Sequence, residues 1–274
     1  MTRWALGVEY NGARFCGWQS QVGVPTVQDA LEGALGAVAR ETIRVVAAGR
    51  TDTGVHALGQ VVHFDSEVVR RPEAFVRGTN ANLGEDVAVL WAQPVAEDFH
   101  ARFSALGRRY RYVWLNRRVR PSLFRDQVSF DYRPLDASRM QEAAAALLGR
   151  HDFSAFRAAQ CQAKSPVRTV HSLSVERSGP LVVMVIRADA FLHHMVRNIA
   201  GVLAAIGAGE RPASWAGEVL AACDRAAAGN TAPPHGLYFE AVEYPARYGI
   251  PAVCEAIGAG LPFFPGHPIP QRFS

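Results

Sequence analysis

The chain has 274 residues, 49% of them hydrophobic and 20% charged, and its 29 Lys plus Arg against 25 Asp plus Glu leave a net charge of +4. That composition excludes a disordered tail protein and a fibre, and the length allows one or two domains with a substantial core. A charge of +4 permits an anionic partner without demanding one.

Lys164 is the sole lysine, so the basic residues are almost all arginine. Coding bias accounts for such a preference, and so does a need for planar donors that fork onto phosphates or stack on bases. The four cysteines, Cys16, Cys161, Cys223 and Cys254, form no C-x-x-C pair, which speaks against a structural zinc and fits a reducing compartment. Glu9 interrupts the N-terminal stretch where a signal peptide requires apolar residues, and the apolar run at 181–186 is too short to span a bilayer. These features predict a cytoplasmic protein without a membrane segment.

In chain order, residues 4–10 read as a strand, followed by a glycine-containing loop. Thr26 reads as an N-cap with Asp29 at the third helical position, and Val27, Leu31, Leu35 and Val38 recur at helical spacing. Residues 43–47 are β-branched and short and predict a strand, 49–58 a loop, 59–65 a strand, 72–80 a helix and 87–95 a strand. The chain passes to a second half near 104–107, and 108–115 alternates as a long strand. Asp136 caps a helix carrying Met140, Ala144 and Leu147. A strand pair follows at 167–177 and 181–189, then helices at 191–206 and 215–223 and a last strand at 239–244. Five of the 16 prolines fall in the tail between Pro251 and Pro270, which predicts irregular structure there. The fold class expected is α+β, in three stretches: an N-terminal α+β half over 1–105, a C-terminal α+β half over 106–248, and a tail over 249–274.

The charge is unevenly placed. Residues 102–125 hold eight arginines (102, 108, 109, 111, 117, 118, 120 and 125) and no acid, so that window is +8 and the rest of the chain sums to −4. Tyr110, Tyr112 and Trp114 interleave with them on one face of the predicted strand. Arginine beside aromatic rings suits nucleic acid, while a solvated edge strand with its aromatics in the core has the same pattern.

The loop Gly49-Arg50-Thr51-Asp52-Thr53-Gly54-Val55-His56 frames an aspartate with glycines between two predicted strands. Rigidly mounted loops are where reactive side chains commonly sit. Arg50 lies two residues before Asp52, and a pair between them favours the ionised carboxylate, fit to act as nucleophile or base. An Asx turn, in which Asp52 only bonds its own backbone, uses the same residues. Asp52-Thr53-Gly54 also spells the aspartic-protease triplet, but there is no second copy, and Arg50-Thr51 stand where an apolar strand is needed. On the predicted helix at 191–206, Met195, Ile199, Val202 and Ile206 form an apolar stripe and His193, Arg197 and Gly201 lie opposite. Arg197 beside a small Gly201 has room to reach into a cleft, or else belongs to an ordinary solvated face. His193-His194 does not complete an H-E-x-x-H zinc motif.

These residues resemble a known family. The stretch from Gly49 to Phe64, G-R-T-D-T-G-V-H-A-L-G-Q-V-V-H-F, is similar to the catalytic motif of the tRNA pseudouridine synthase A family. Further similar segments follow the family's order: Tyr10-Asn11-Gly12 with Gly17-Trp18-Gln19, Asn80-Ala81-Asn82-Leu83, Asp98-Phe99-His100-Ala101-Arg102-Phe103, Arg109-Tyr110-Arg111-Tyr112, His151-Asp152-Phe153, Phe191-Leu192-His193-His194-Met195-Val196-Arg197-Asn198 and Gly236-Leu237-Tyr238. The resemblance covers roughly residues 3–248, and Thr53 departs from it, standing where the family usually has alanine.

The resemblance implies an isomerase that converts uridine to pseudouridine at positions 38 to 40 of the tRNA anticodon stem-loop, without cofactor or metal. It implies two similar mixed α/β halves with largely antiparallel sheets around a central RNA-binding cleft, and a homodimer in which one tRNA touches both subunits. Asp52 carries over as the catalytic aspartate, with Arg50 beside it in the motif. Tyr110 carries over as the active-site tyrosine that stacks on the uracil, Arg197 as the cleft arginine pairing with the carboxylate, and Leu237 as an apolar wall of the pocket. Arg14 on the opening loop is a candidate for RNA backbone contact. An RNA-binding module without chemistry is the competing expectation.

Overall fold

The computed structural model describes residues 1–68 and 70–252. Its strands and helices are β1 (Thr2–Tyr10), α1 (Val27–Ala39), β2 (Val46–Ala47), β3 (His56–Ser66), α2 (Pro72–Asn82), β4 (Val87–Pro94), β5 (Gly107–Asn116), β6 (Ser129–Asp131), α3 (Ala137–Ala144), β7 (Gly149–Asp152), β8 (Val167–Ser178), β9 (Leu181–Ala188), α4 (Met195–Gly207), α5 (Trp215–Ala222) and β10 (Leu237–Glu243).

The strands form one mixed sheet in the order β4-β1-β3-β10-β5-β9-β8-β7, with β2 on β3 and β6 on β5. Most neighbours are antiparallel, and the parallel pairs are β3 with β10 and β5 with β6. The α+β class is therefore as expected. The sheet is continuous across the boundary expected near residue 105: β10, late in the chain, is hydrogen-bonded to β3 through Tyr238 opposite His56 and Phe239 opposite Ala57. That seam sets the end of the Asp52 loop, at His56, beside the start of β10.

The alternation of each strand decides which side chains meet the helices. On β5, Tyr110, Tyr112 and Trp114 enter the main core with Leu31, Phe64, Met140, Ile186, Ile199 and Phe239. Val113 enters a smaller cluster on the other face with Val183 and Tyr238. Tyr112 and Trp114 are fully enclosed and pack ring to ring at 4.5 Å. They are core residues and not a stacking surface. Arg109 and Arg111, one position out of phase, both meet Glu240 across the sheet, at 3.2 and 2.6 Å. Arg108 gives its guanidinium to the carbonyls of Asp189, Ala48 and Arg102. Three of the eight arginines in the basic window are thus committed to holding the fold, and the exposed positive charge lies in Arg102 and the 117–125 loop.

The helices follow their sequence signals, with instructive differences at the ends. Thr26 caps α1 by accepting from the Asp29 amide, and Asp136 caps α3 by accepting from the Ser138 and Arg139 amides. The predicted strand at 43–47 pairs only at Val46–Ala47, because Ile43 and Val45 turn into the core beside α1 instead of extending along β3. The predicted helix at 191–206 begins four residues late, at Met195. Phe191 packs edge-on against Tyr110 at 4.8 Å, and His194 takes a left-handed conformation (φ 63°), so residues 191–194 form a turn. β6 and β7, three and four residues long, were too short to show a period in the sequence. The expectation for the proline-rich tail falls almost entirely outside the described residues.

Glu240 is 3% exposed and faces two arginines. Its removal leaves buried guanidinium charge without its counterion, which typically costs about 3–5 kcal/mol. Glu240→Leu is expected to lose stability on that scale in urea unfolding, with Arg111→Met losing a comparable amount.

Candidate active site

The loop that carries Asp52 is held from three directions. The Tyr10 hydroxyl and the Thr51 hydroxyl are 2.8 Å apart, the Trp18 amide donates to the Thr51 carbonyl at 3.0 Å, and Gln60 donates to the Gly49 carbonyl at 2.7 Å. The Val55 amide closes a turn on the Asp52 carbonyl at 3.1 Å, and Gly54 supplies the positive φ of 77° that this turn needs. This is a backbone turn and not the Asx-turn alternative, because the Asp52 carboxylate points away from its own loop to Arg197, His193 and His194.

His56 fastens the end of the loop. Its Nδ1 accepts from the Gly12 amide at 3.1 Å and its Nε2–H donates to the His235 carbonyl at 3.2 Å. Its ring stacks on Tyr238 at 4.8 Å. One imidazole therefore ties the opening loop, the Asp52 loop and the turn before β10. Burial lowers its pKa to about 4, so it is neutral at pH 7, as its accepting nitrogen requires.

Asp52 reaches across to the first turn of α4, 145 residues further along the chain. Its Oδ2 lies 3.1 Å from the Arg197 guanidinium, which donates to it, and 3.3 Å from Nε2 of His194. Its Oδ1 lies 3.2 Å from Nε2 of His193. Burial lowers the His194 pKa against the opposing pull of the Asp52 carboxylate, and His193 and Arg197 add to the lowering. The carboxylate remains 22% exposed, enough to be reached from outside.

Arg197 is aimed by its own surroundings. Its Nε donates to the Ala232 carbonyl at 2.9 Å, and the Ala232 amide donates back to the Arg197 carbonyl at 3.1 Å. The 230–232 segment comes this close because residue 201 has no side chain: a Cβ there would sit 2.0 Å from the Asn230 carbonyl oxygen. The face of α4 bearing Arg197 and Gly201 is packed against this segment and is not a solvated surface.

Tyr110 stands at the edge of the same site. It is wedged between Phe191 (4.8 Å) and Phe239 (5.0 Å), and its hydroxyl has no hydrogen-bond partner among the described residues. Burial pushes its pKa far above the ordinary phenol range, and the nearby Tyr10 and Asp52 push the same way. Leu237 is buried at the start of β10, opposite Tyr112 on β5, two residues before Phe239.

Arg50 is exposed and makes no ion pair with Asp52 among the described residues. The cation that holds the carboxylate is Arg197, and Arg50 points its charge outward. Thr53 is exposed and makes no hydrogen bond to the carboxylate. Arg14 is 83% exposed and lies 3.6 Å from Asp86. His193, His194 and His56 were not assigned a role from the sequence. The adjacent histidines were visible there, but only the left-handed turn at His194 shows that both rings face Asp52. Arg109 and Arg111 alternate away from Tyr110 on β5, so the basic strand and the tyrosine do not present one common surface.

Asp52 is clamped by a distant arginine and two histidines and faces no second aspartate among the described residues, which is not the paired-aspartate site of an aspartic protease. The sequence profile of the family described as tRNA pseudouridine synthase matches residues 7–104 and 143–245. The chain is 58% identical over 252 residues to the tRNA pseudouridine synthase A of Pseudomonas aeruginosa, covering 92% of this chain and 88% of that protein. It is 57% identical over 255 residues to that of Nitrosococcus oceani (93% and 98%) and 54% identical over 247 residues to that of Escherichia coli (90% and 92%). The chain belongs to the tRNA pseudouridine synthase family.

Two outcomes follow from this geometry. The unfolded chain takes up a proton on His56 near pH 6.5, while the folded chain resists until about pH 4. The stabilisation is therefore complete above pH 6.5 and is lost as pH falls toward 4, by up to about 3 kcal/mol for this one group. His63, pushed to about 4 mainly by burial, acts in the same direction. Urea midpoints should fall between pH 7 and pH 4.5, and the fall should be shallower in His56→Gln. Separately, Gly201→Ala forces a Cβ against the Asn230 carbonyl and should cost about 1–3 kcal/mol in unfolding measurements, with turnover falling further than stability because Arg197 is displaced.

Proposed function

We propose that this chain isomerises uridine to pseudouridine at positions 38 to 40 of the tRNA anticodon stem-loop, with Asp52 as nucleophile or base. The observation that carries this is the Asp52 carboxylate, held by Arg197 at 3.1 Å at an accessible edge beside Tyr110. Similarity to curated tRNA pseudouridine synthases along nine-tenths of the chain supports the substrate class.

The reaction breaks the N1–C1′ bond, forms a C5–C1′ bond, removes the C5 proton and returns a proton to N1. Atoms and electrons balance within the uridine, so no oxidant or second substrate enters. Before any of this, the base must leave the stem, at a cost of a few kcal/mol in unstacking. Arg50, exposed at the loop beside Asp52, is placed to engage the phosphates around the vacated position, and Arg14 and the 117–125 arginines extend that electrostatic footprint.

Once the uridine is out, Asp52 has three routes: attack on C1′ of the ribose, attack on the uracil ring, or removal of a ribose proton. In each, the carboxylate must stay oriented while charge changes, and Arg197 supplies a fixed donor for that purpose. Tyr110 presents a neutral phenol. It acts as a stacking and hydrogen-bonding edge for the uracil, and it relays the C5 proton only if it passes its own proton onward at the same time. Leu237 supplies apolar wall behind it.

The working form is a homodimer in the cytoplasm, with one tRNA in contact with both subunits, as the family resemblance implies. No helix among the described residues is long and apolar enough to cross a membrane.

The direct experiment is to incubate the protein with unmodified tRNA and map pseudouridine. Product at one or more of positions 38 to 40 is expected; folded protein that binds tRNA without product would instead favour a binding module. Asp52→Asn should reduce turnover by at least about a thousandfold, on the scale seen when a catalytic group is removed, while tRNA affinity stays within a few-fold.

A further inference from the structure

The turn before α4 sets two imidazoles side by side. The His193 and His194 ring centroids are 4.1 Å apart, a consequence of the left-handed backbone at His194. One ring nitrogen from each and a carboxylate oxygen of Asp52 all lie within 4.8 Å of one another. The two nitrogen–oxygen separations are 3.2 Å from His193 to Oδ1 and 3.3 Å from His194 to Oδ2, so each imidazole faces its own carboxylate oxygen. A tetrahedral ion with bonds of about 2.1 Å to nitrogen and oxygen has ligand edges of roughly 3.4 Å. The observed separations are close to that edge, and rotation of the Asp52 carboxylate and the two rings brings one oxygen and two nitrogens around a common ion.

We propose that Asp52, His193 and His194 form a binding site for a borderline divalent cation of the zinc class, and that its occupation blocks the catalytic carboxylate. Two imidazoles with one carboxylate select Zn²⁺, Co²⁺ or Ni²⁺ over the oxygen-seeking Mg²⁺ and Ca²⁺ that accompany RNA. Three protein ligands leave a fourth position for water. Each member is reachable, with side-chain exposures of 22%, 38% and 30% for Asp52, His193 and His194. Arg197 opposes the ion, because its guanidinium shares Oδ2. The ion accordingly seats toward Oδ1 and the His193 side, and the site is a reversible inhibitory one instead of a structural zinc. Binding of the ion stands on these three residues alone, whereas inhibition rests on the isomerase function proposed above.

The test is isothermal titration of ZnCl₂ into reduced, chelator-stripped full-length protein, repeated with CoCl₂ and read by visible absorption. One ion per chain is expected, with the intense visible bands of low-coordinate Co²⁺. His193→Gln, His194→Gln and Asp52→Asn, each checked for fold by circular dichroism, should each weaken binding by at least about tenfold. Cys16→Ser, Cys161→Ser and Cys223→Ser should leave it unchanged. Absence of saturable binding, or affinity that survives in folded Asp52→Asn and His193→Gln, overturns the site. Zn²⁺ should also suppress pseudouridine formation in wild type, with recovery on adding EDTA. Binding without suppression overturns the inhibitory role. Metal-free protein that forms no product overturns the isomerase function while the titration still reads the site.

Discussion

The contact between the Asp52 carboxylate and the Arg197 guanidinium is the point on which the rest of the molecule converges. It joins a loop from the first third of the chain to the first turn of a helix from the last third, at 3.1 Å. A carboxylate at a partly open site gains little from a loosely held partner, because two long side chains must be immobilised for one ion pair. Here the immobilisation is already done on both sides. Thr51 is fixed by Tyr10 and Trp18, and Arg197 by a reciprocal pair of bonds with Ala232. The site is preorganised because its supports, the Tyr10 hydroxyl and backbone groups of Trp18 and Ala232, lie in regular or tightly packed segments.

The sheet makes that meeting possible. Parallel pairing of β3 with β10 brings the end of the Asp52 loop beside the turn that precedes β10. His56 then bonds both neighbours, one with each ring nitrogen. β5 lies on the other side of β10 and delivers Tyr110 opposite Phe239. Three side chains from distant stretches thus share one edge because one short strand is common to both parts of the sheet.

Much of this was legible in the sequence where the signal was local. The caps of α1 and α3, the long alternation of β5 and the glycine-framed aspartate were read from residues a few positions apart. What failed to show was set by tertiary contacts. The Arg50–Asp52 pair suggested by spacing is not made, because the carboxylate turns toward α4. The basic window looked like one RNA-binding surface, yet alternation sends Arg109 and Arg111 to Glu240, on the face away from Tyr110. The helix predicted from Phe191 starts at Met195, since Phe191 is drawn onto Tyr110, and that delay is what turns His193 and His194 toward Asp52. No periodicity encodes a turn of this kind. Family motifs marked Asp52, Tyr110 and Arg197 separately, and only the fold shows the Arg197 guanidinium reaching the Asp52 carboxylate.

If the clamped carboxylate is the working centre, loosening the clamp should cost catalysis without costing RNA affinity. The most direct measurement is single-turnover pseudouridine formation by Arg197→Met, alongside the tRNA dissociation constant of the same variant. Loss of one preorganised charged donor predicts a rate at least about a hundredfold below wild type, with affinity changed by no more than a few-fold. A folded Arg197→Met that turns over within a few-fold of wild type would contradict the account.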